Sequence, residues 1–213
     1  MQSAAPGHPF VGNGAYRQPC RTACPLGCDE DMATSHQITA PASVLGHYDI
    51  DTSRSVITFA TRHLFGLGPV RGSFGIRSGS VDIAQPLTES AIRADVDAAS
   101  FRTGNPQRDH RVRSARFLDA RQFPAISFTD GRISADGATI TGTLTVRNQA
   151  RPVTLTLGVV EVDGESFTAS ASVHIDRIEF GVTASPGLAG RYLNLSLQVC
   201  CVRKSWEGGT AHV

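Results

Sequence analysis

Much of this chain is written in strict alternation of apolar and polar residues. Ile57, Phe59, Thr61 and His63 fall on one side of an extended segment, with Thr58, Ala60 and Arg62 on the other, because successive side chains of a strand point to opposite faces. Phe65-Gly66-Leu67-Gly68-Pro69 has the composition of a tight reversal, and Val70, Gly72, Phe74 and Ile76 then alternate with Arg71, Ser73 and Arg77, so a hairpin is expected. The same pattern returns at Ile92–Ala98, Ile126–Thr129, Ile140–Val146, Val153–Val159, Phe167–Asp176 and Leu193–Val199, giving eight alternating runs in all. Asp130-Gly131, Asp136-Gly137 and Asp163-Gly164 read as turns between them.

One dry face and one wet face per strand is the pattern of antiparallel sheet, since parallel sheets covered on both sides read as continuous apolar runs. Eight such strands leave exposed edges, which a sandwich manages with short edge strands and a barrel removes by closure. A barrel of that size is either filled by side chains or holds one small ligand. Ala94, Ala98, Gly142, Ala169 and Ala171 are small residues on the dry face, which favours a cavity.

The stretch from Ser100 to Phe128 breaks the alternation. Asn105-Pro106 pairs a good N-cap with proline at the first helical position, Ser114 can open a second turn carrying Phe117 and Leu118, and Phe123-Pro124 ends the segment. The fold expected is all-β: an eight-stranded antiparallel barrel with a short helical cap, a helix pair, around residues 105–122.

Composition places this barrel within the chain. Of 213 residues, 40% are hydrophobic and 18% charged, which suits one globular domain. Residues 1–45 carry Pro6, Pro9, Pro19, Pro25 and Pro41 and no hydrophobic period, as a disordered extension would. The barrel is assigned to 46–199 and a glycine-containing C-terminal tail to 200–213, with Trp206 exposed in it. Met32 opens MATSHQ, which would serve as an ordinary start in place of Met1. No run reaches the roughly 18 apolar residues of a membrane span, and the N-terminus lacks the basic and apolar regions of a secretory signal, so a cytoplasmic location and no stable membrane insertion are expected. A formal net charge of +1 gives no overall attraction to nucleic acid.

Candidate chemistry adds little to this picture. Cys20, Cys24 and Cys28 with His36 are spaced more widely than the tight pairs of structural zinc sites, and Cys200 and Cys201 are neighbours read as filler. Five cysteines confined to the flanks argue against a disulfide framework, and no metal site is assigned. No nucleophile elbow, phosphate loop or zinc-protease helix occurs, and no catalytic residue is assigned. Asp109-His110, beside Arg108 and Arg111, reads as part of a polar network. The six arginines from Arg102 to Arg121 read as a solvated face, with Phe101, Phe117 and Phe123 packing on the barrel mouth. His63 is either a satisfied core histidine or a polar contact for a ligand head group.

These pieces resemble the YceI-like family of lipocalin-like, polyisoprenoid-binding proteins. The resemblance rests on His63 with Gly66 and Val70-Arg71-Gly72-x-Phe74, on Thr103-Gly104 with Arg108-Asp109 and Arg113-Ser114, on Phe117 with Phe123-Pro124-x-Ile126-x-Phe128, and on Asp176-Arg177-x2-Phe180-Gly181. It departs at Asn148, where the family has glycine and where asparagine can still adopt the left-handed conformation, and at Arg111-Val112-Arg113-Ser114, where the family tends to Leu-Arg-Ser. The extensions lie outside it. The resemblance implies a lipocalin-like barrel around a long-tailed amphiphile, and often a homodimer.

The function expected is non-enzymatic binding, storage or transport of a polyisoprenoid, isoprenoid quinone or fatty acid derivative. Phe59, Phe74, Ile92, Val96, Phe128, Leu144, Val173 and Leu195 would meet the tail, with Phe101 and Phe117 closing the mouth and His63 and the arginine cap near the head. No cofactor is expected beyond such a bound lipid or quinone. The alternatives are an enzyme or redox factor acting on a bound quinone, with His110 beside Asp109 as its best candidate, and a nucleic-acid-binding barrel.

Overall fold

The computed structural model describes residues 42–63 and 67–204. The proposed start at Met32, Cys20, Cys24, Cys28, His36, Trp206 and Phe65-Gly66 lie outside the described residues. The strands, in chain order, are β1 (Gly46–Ile50), β2 (Val56–His63), β3 (Gly68–Phe74), β4 (Ile76–Ile83), β5 (Ala91–Asp97), β6 (Ala125–Ile133), β7 (Thr139–Val146), β8 (Gln149–Asp163), β9 (Ser166–Asp176) and β10 (Tyr192–Arg203), and the helix α1 (Pro106–Arg113) sits between β5 and β6. No described helix is long and apolar enough to cross a membrane.

All strand pairs are antiparallel, and the order β1-β4-β5-β6-β7-β8-β9-β10 closes on itself because β10 also pairs with β1. The ten segments make eight barrel strands. β1 and β2 lie end to end along β10, with Ile50 opposite Cys201 and Val56 opposite Gln198, and β4 and β3 lie along β1 and β2 in the same way. The break between β1 and β2 is a built feature. The Asp51 carboxylate accepts from the Ser53 and Arg54 amides and from the Ser53 hydroxyl, and the buried Ser55 hydroxyl accepts from the Cys200 amide at 2.9 Å, so the backbone groups freed by the break are partly satisfied. The break between β3 and β4 is at Gly75, whose amide donates to the Ser100 hydroxyl at 2.7 Å.

Alternation sends every second side chain inward, as the sequence requires. At the end where β2 meets β3, Phe59, Phe74 and Phe101 pack ring against ring at 5.2–5.7 Å between centroids. That contact depends on Gly72, since a Cβ there would stand 2.6 Å from the Phe59 ring and 2.3 Å from the Arg102 carbonyl oxygen. At the other end Tyr48 and Phe167 meet edge to face at 4.8 Å.

Four sequence expectations are corrected. Asp130-Gly131 is not a turn: β6 runs through it as a bulge, with Asp130 left-handed at φ 56°. In the β7–β8 turn the left-handed residue is Arg147, at φ 55°, rather than Asn148. The helix pair is one helix followed by turns. Asn105 caps α1 by accepting from the Arg108 amide, but the Ser114 hydroxyl donates back to the Arg111 carbonyl and its backbone turns extended, ending the helix. Finally, the last strand continues beyond Val199 to Arg203, because Cys200–Arg203 still pair with β9 or β1. Arg203 donates to the Leu45 carbonyl at 2.8 Å and the Tyr48 hydroxyl at 2.7 Å, and pairs with Glu165 at 2.5 Å.

Candidate functional site: a hollow apolar barrel

The inward residues at mid-barrel do not meet. Leu193, Leu195, Leu197 and Val199 on β10, and Ala169, Ala171 and Val173 on β9, keep partial exposure although they point into the tube, because they line a cavity of about 910 Å³. Small side chains at Ala94, Ala169 and Ala171 leave the space that larger residues would fill.

Phe59, Phe74, Ile92, Val96, Phe101, Phe117, Phe128, Leu144, Val173 and Leu195 all line this cavity. The His63 side chain lies outside the described residues. Its backbone ends β2 opposite Gly68, at the same end as α1.

The helical segment closes that end. The Asp109 carboxylate is buried and accepts from the Thr103 amide at 2.9 Å and hydroxyl at 2.6 Å. Arg113 donates two bonds to the Phe101 carbonyl, at 3.1 and 2.5 Å. Both groups fasten the segment to the chain leaving β5. Phe117 and Leu118 are buried under it, and Arg147 donates to the Phe117 carbonyl at 3.3 Å. Asp109 and His110 are therefore separated in role, since His110 is exposed while Asp109 is bonded to Thr103. Of the lid arginines, Arg111 and Arg116 are exposed, whereas Arg108 is half-buried, and Arg108 and Arg111 line the cavity.

The loop from Arg177 to Arg191 was not assigned to the site from the sequence, and it forms the other half of the closure. Phe180 and Val182 are buried, and Arg177 is buried to 9% exposure with its guanidinium against the Phe117 ring at 5.9 Å. Arg177 donates through Nε to the Gly190 carbonyl at 2.7 Å, through Nη2 to the Ala189 carbonyl at 3.2 Å, and through Nη1 to the Val182 carbonyl. Burial lowers its pKa from the ordinary arginine value. Asp176 beside it is bound to Arg191 at 2.7 Å, and that hydrogen bond lowers its own pKa. The only sequence signal for this loop was Asp176-Arg177-x2-Phe180-Gly181.

The opposite end is lined by Val44, Leu87, Gly137, Val160 and Val162, and by Asp136. There β8 has left β7 and pairs only with β9, so Val160 and Val162 are 46% and 51% exposed. Cys201 also lines this part of the wall, and burial, with its neighbour Cys200 adding to it, pushes its thiol pKa up to about 12.

An up-and-down barrel of eight strands around an apolar cavity, closed at one end by an inserted helix, defines a lipocalin-like fold. The model of the YceI-like domain matches residues 48–199, and the chain belongs to that family. A UPF0312 protein of Yersinia enterocolitica is 29% identical over 178 residues, covering 78% of this chain and 91% of that protein. A UPF0312 protein of Pseudomonas putida is 28% identical over 174 residues, covering 76% and 89%. Among solved structures, BcnA of Burkholderia cenocepacia shares the fold at a TM-score of 0.61 and 20% identity, over 71% of this chain and 98% of BcnA. A polyisoprenoid binding domain of Saccharophagus degradans, implicated in plant cell wall breakdown, shares it at a TM-score of 0.55 and 11% identity, over 75% and 99%.

Proposed function

We propose that the barrel carries or stores one long-tailed amphiphile, a polyisoprenoid, an isoprenoid quinone or a fatty acid derivative, without performing chemistry on it. The observation that carries this reading is the cavity of about 910 Å³ with aliphatic and aromatic walls, a size in the range of about 300–1,000 Å³ that encloses most of a small ligand. Each square ångström of tail surface removed from water contributes about 25 cal/mol, so the tail alone supplies strong binding and little selectivity. Phe59, Phe74, Ile92, Val96, Phe128, Leu144, Val173 and Leu195 are the proposed tail contacts, Phe101 and Phe117 close over it, and His63 is the proposed polar contact. The Saccharophagus degradans domain, described as polyisoprenoid binding, supports the tail chemistry.

Native mass spectrometry and organic extraction of the purified protein test the proposal, and a stoichiometric co-purifying lipid is expected. A protein that is empty, takes up no added fluorescent lipid and shifts a nucleic-acid probe would overturn it. The homodimer and the cytoplasmic location belong to the same proposal and are decided by sedimentation and by cell fractionation.

A further inference from the structure

A guanidinium buried in an apolar wall needs an answer to its charge as well as to its hydrogen bonds. Arg177 has the second and only part of the first: the neighbouring Asp176 charge acts on it through space, but no carboxylate forms a salt bridge with it among the described residues. Its three bonds go to backbone carbonyls, which solvate the cation without neutralising it. Arginine carries five N–H donors, so two, on the terminal nitrogens, have no acceptor among the described residues. The nearest acid in sequence, Asp176, is committed elsewhere: its carboxylate bonds Arg191 at 2.7 Å and the Ile178 amide at 3.0 Å. Among the described residues that line the cavity, Asp136 is the single carboxylate, and it lies at the opposite end. Arg108 and Arg111 line the cavity at the same end as Arg177.

We infer that Arg177 is the receptor for an anionic head group, a carboxylate or a phosphate, of the amphiphile in the barrel. This rests on the amphiphile-binding reading above and deepens it. The head oxygens accept the two remaining N–H donors of Arg177, in the charge-assisted geometry guanidinium offers to carboxylate and phosphate. Arg108 and Arg111 add positive potential at the mouth. The tail then points toward the valine-lined end, where Val160 and Val162 leave the wall open. Because the same guanidinium holds the carbonyls of Val182, Ala189 and Gly190, the head group is bound by the residue that also fastens the closing loop.

The test compares three ligands with one tail, dodecyl phosphate, dodecanoate and dodecanol, titrated into the delipidated full-length chain. Wild type is expected to bind the anions about 10- to 100-fold more tightly than the alcohol, the worth of a charged hydrogen-bonding partner. The tighter of the two anions identifies the head chemistry. Arg177→Gln is expected to bring all three ligands within a few-fold of one another, read as the ratio of anion to dodecanol affinity within the variant because the loop contacts are lost for every ligand alike, and Arg177→Lys to restore part of the preference. Should Arg177→Gln fail to fold, nitrogen-15 NMR of the wild-type arginine side chains decides: the Nε–H signal absent from Arg177→Lys should shift with dodecyl phosphate and stay with dodecanol. Equal affinity of wild type for all three, an unshifted signal, or an anion preference that survives in Arg177→Gln overturns the assignment while leaving the amphiphile reading intact. Failure of all three to bind wild type overturns that reading itself.

Discussion

Ala171 lies at the middle of β9, opposite Leu197 of β10 and Leu157 of β8, and faces the void. Ala171→Phe therefore separates a hollow barrel from a filled one by the sign of a stability change. In a filled core the added ring would overpack, at a cost of about 1–3 kcal/mol. Into an existing cavity it brings its own apolar surface out of water, a gain of up to about 2 kcal/mol. With a urea slope near 2 kcal/mol per molar, that gain moves the unfolding midpoint up by about 1 M at constant slope. The same ring occupies tail volume, so the amount of lipid retained in native mass spectrometry should fall at least tenfold. A lowered midpoint would show that the space is not there in solution. A raised midpoint with lipid retention unchanged would place the ligand somewhere other than this cavity.

Three other perturbations follow from the same geometry. Phe117 is 5% exposed under the lid whereas Arg116 points to water, so Phe117→Asp should release bound lipid and Arg116→Ala should not; equal losses, read by extraction, would remove the lid from the account. Ser55→Ala strips the Cys200 amide of its acceptor in a buried site, and the expected loss of about 1–3 kcal/mol in chemical unfolding would be missing if water reaches the β1–β2 break. Cys201 holds its proton in the folded state to about 12 against an ordinary 9.0, so the folded chain binds more protons than the unfolded one between those values and stability declines as pH rises through that window. The slope should be shallower in Cys201→Ala, and iodoacetamide should leave the native thiol unlabelled at pH 8; rapid native labelling would contradict its burial.

The barrel was legible because its signal is local: a period of two repeated in eight runs, with small residues on the dry face, although β1 (Gly46–Ile50) and β4 beyond Ile76 were not among the runs read. Closure and hollowness follow from that pattern and from Ala94, Ala169 and Ala171. The details that escaped depend on partners far along the chain. Asp130-Gly131 has turn composition, yet Gly131 sits in a bulge because Ile92 and the Phe128 ring close over it, where a Cβ would come within 2.8 Å of each. Cys200 to Arg203 look like a tail by composition and are strand because β1 waits beside them. Arg177 could be quoted as part of a motif, but its burial and its three carbonyl partners arise only when the loop folds back over β9. Local composition could not distinguish it from the arginines that face water.

The pairing of β10 with both β1 and β2 has a consequence for the order of events during synthesis. Tyr48 and Arg203 are neighbours in the sheet although nearly the whole domain separates them in sequence. Until the residues of β10 have left the ribosome, the earlier strands can form only an open trough whose greasy lining faces solvent. Closing so long a loop is slow compared with forming the hairpins. A nascent chain therefore passes through a stage in which the future cavity is accessible along its whole length, and a hydrophobic guest could enter then without passing either mouth.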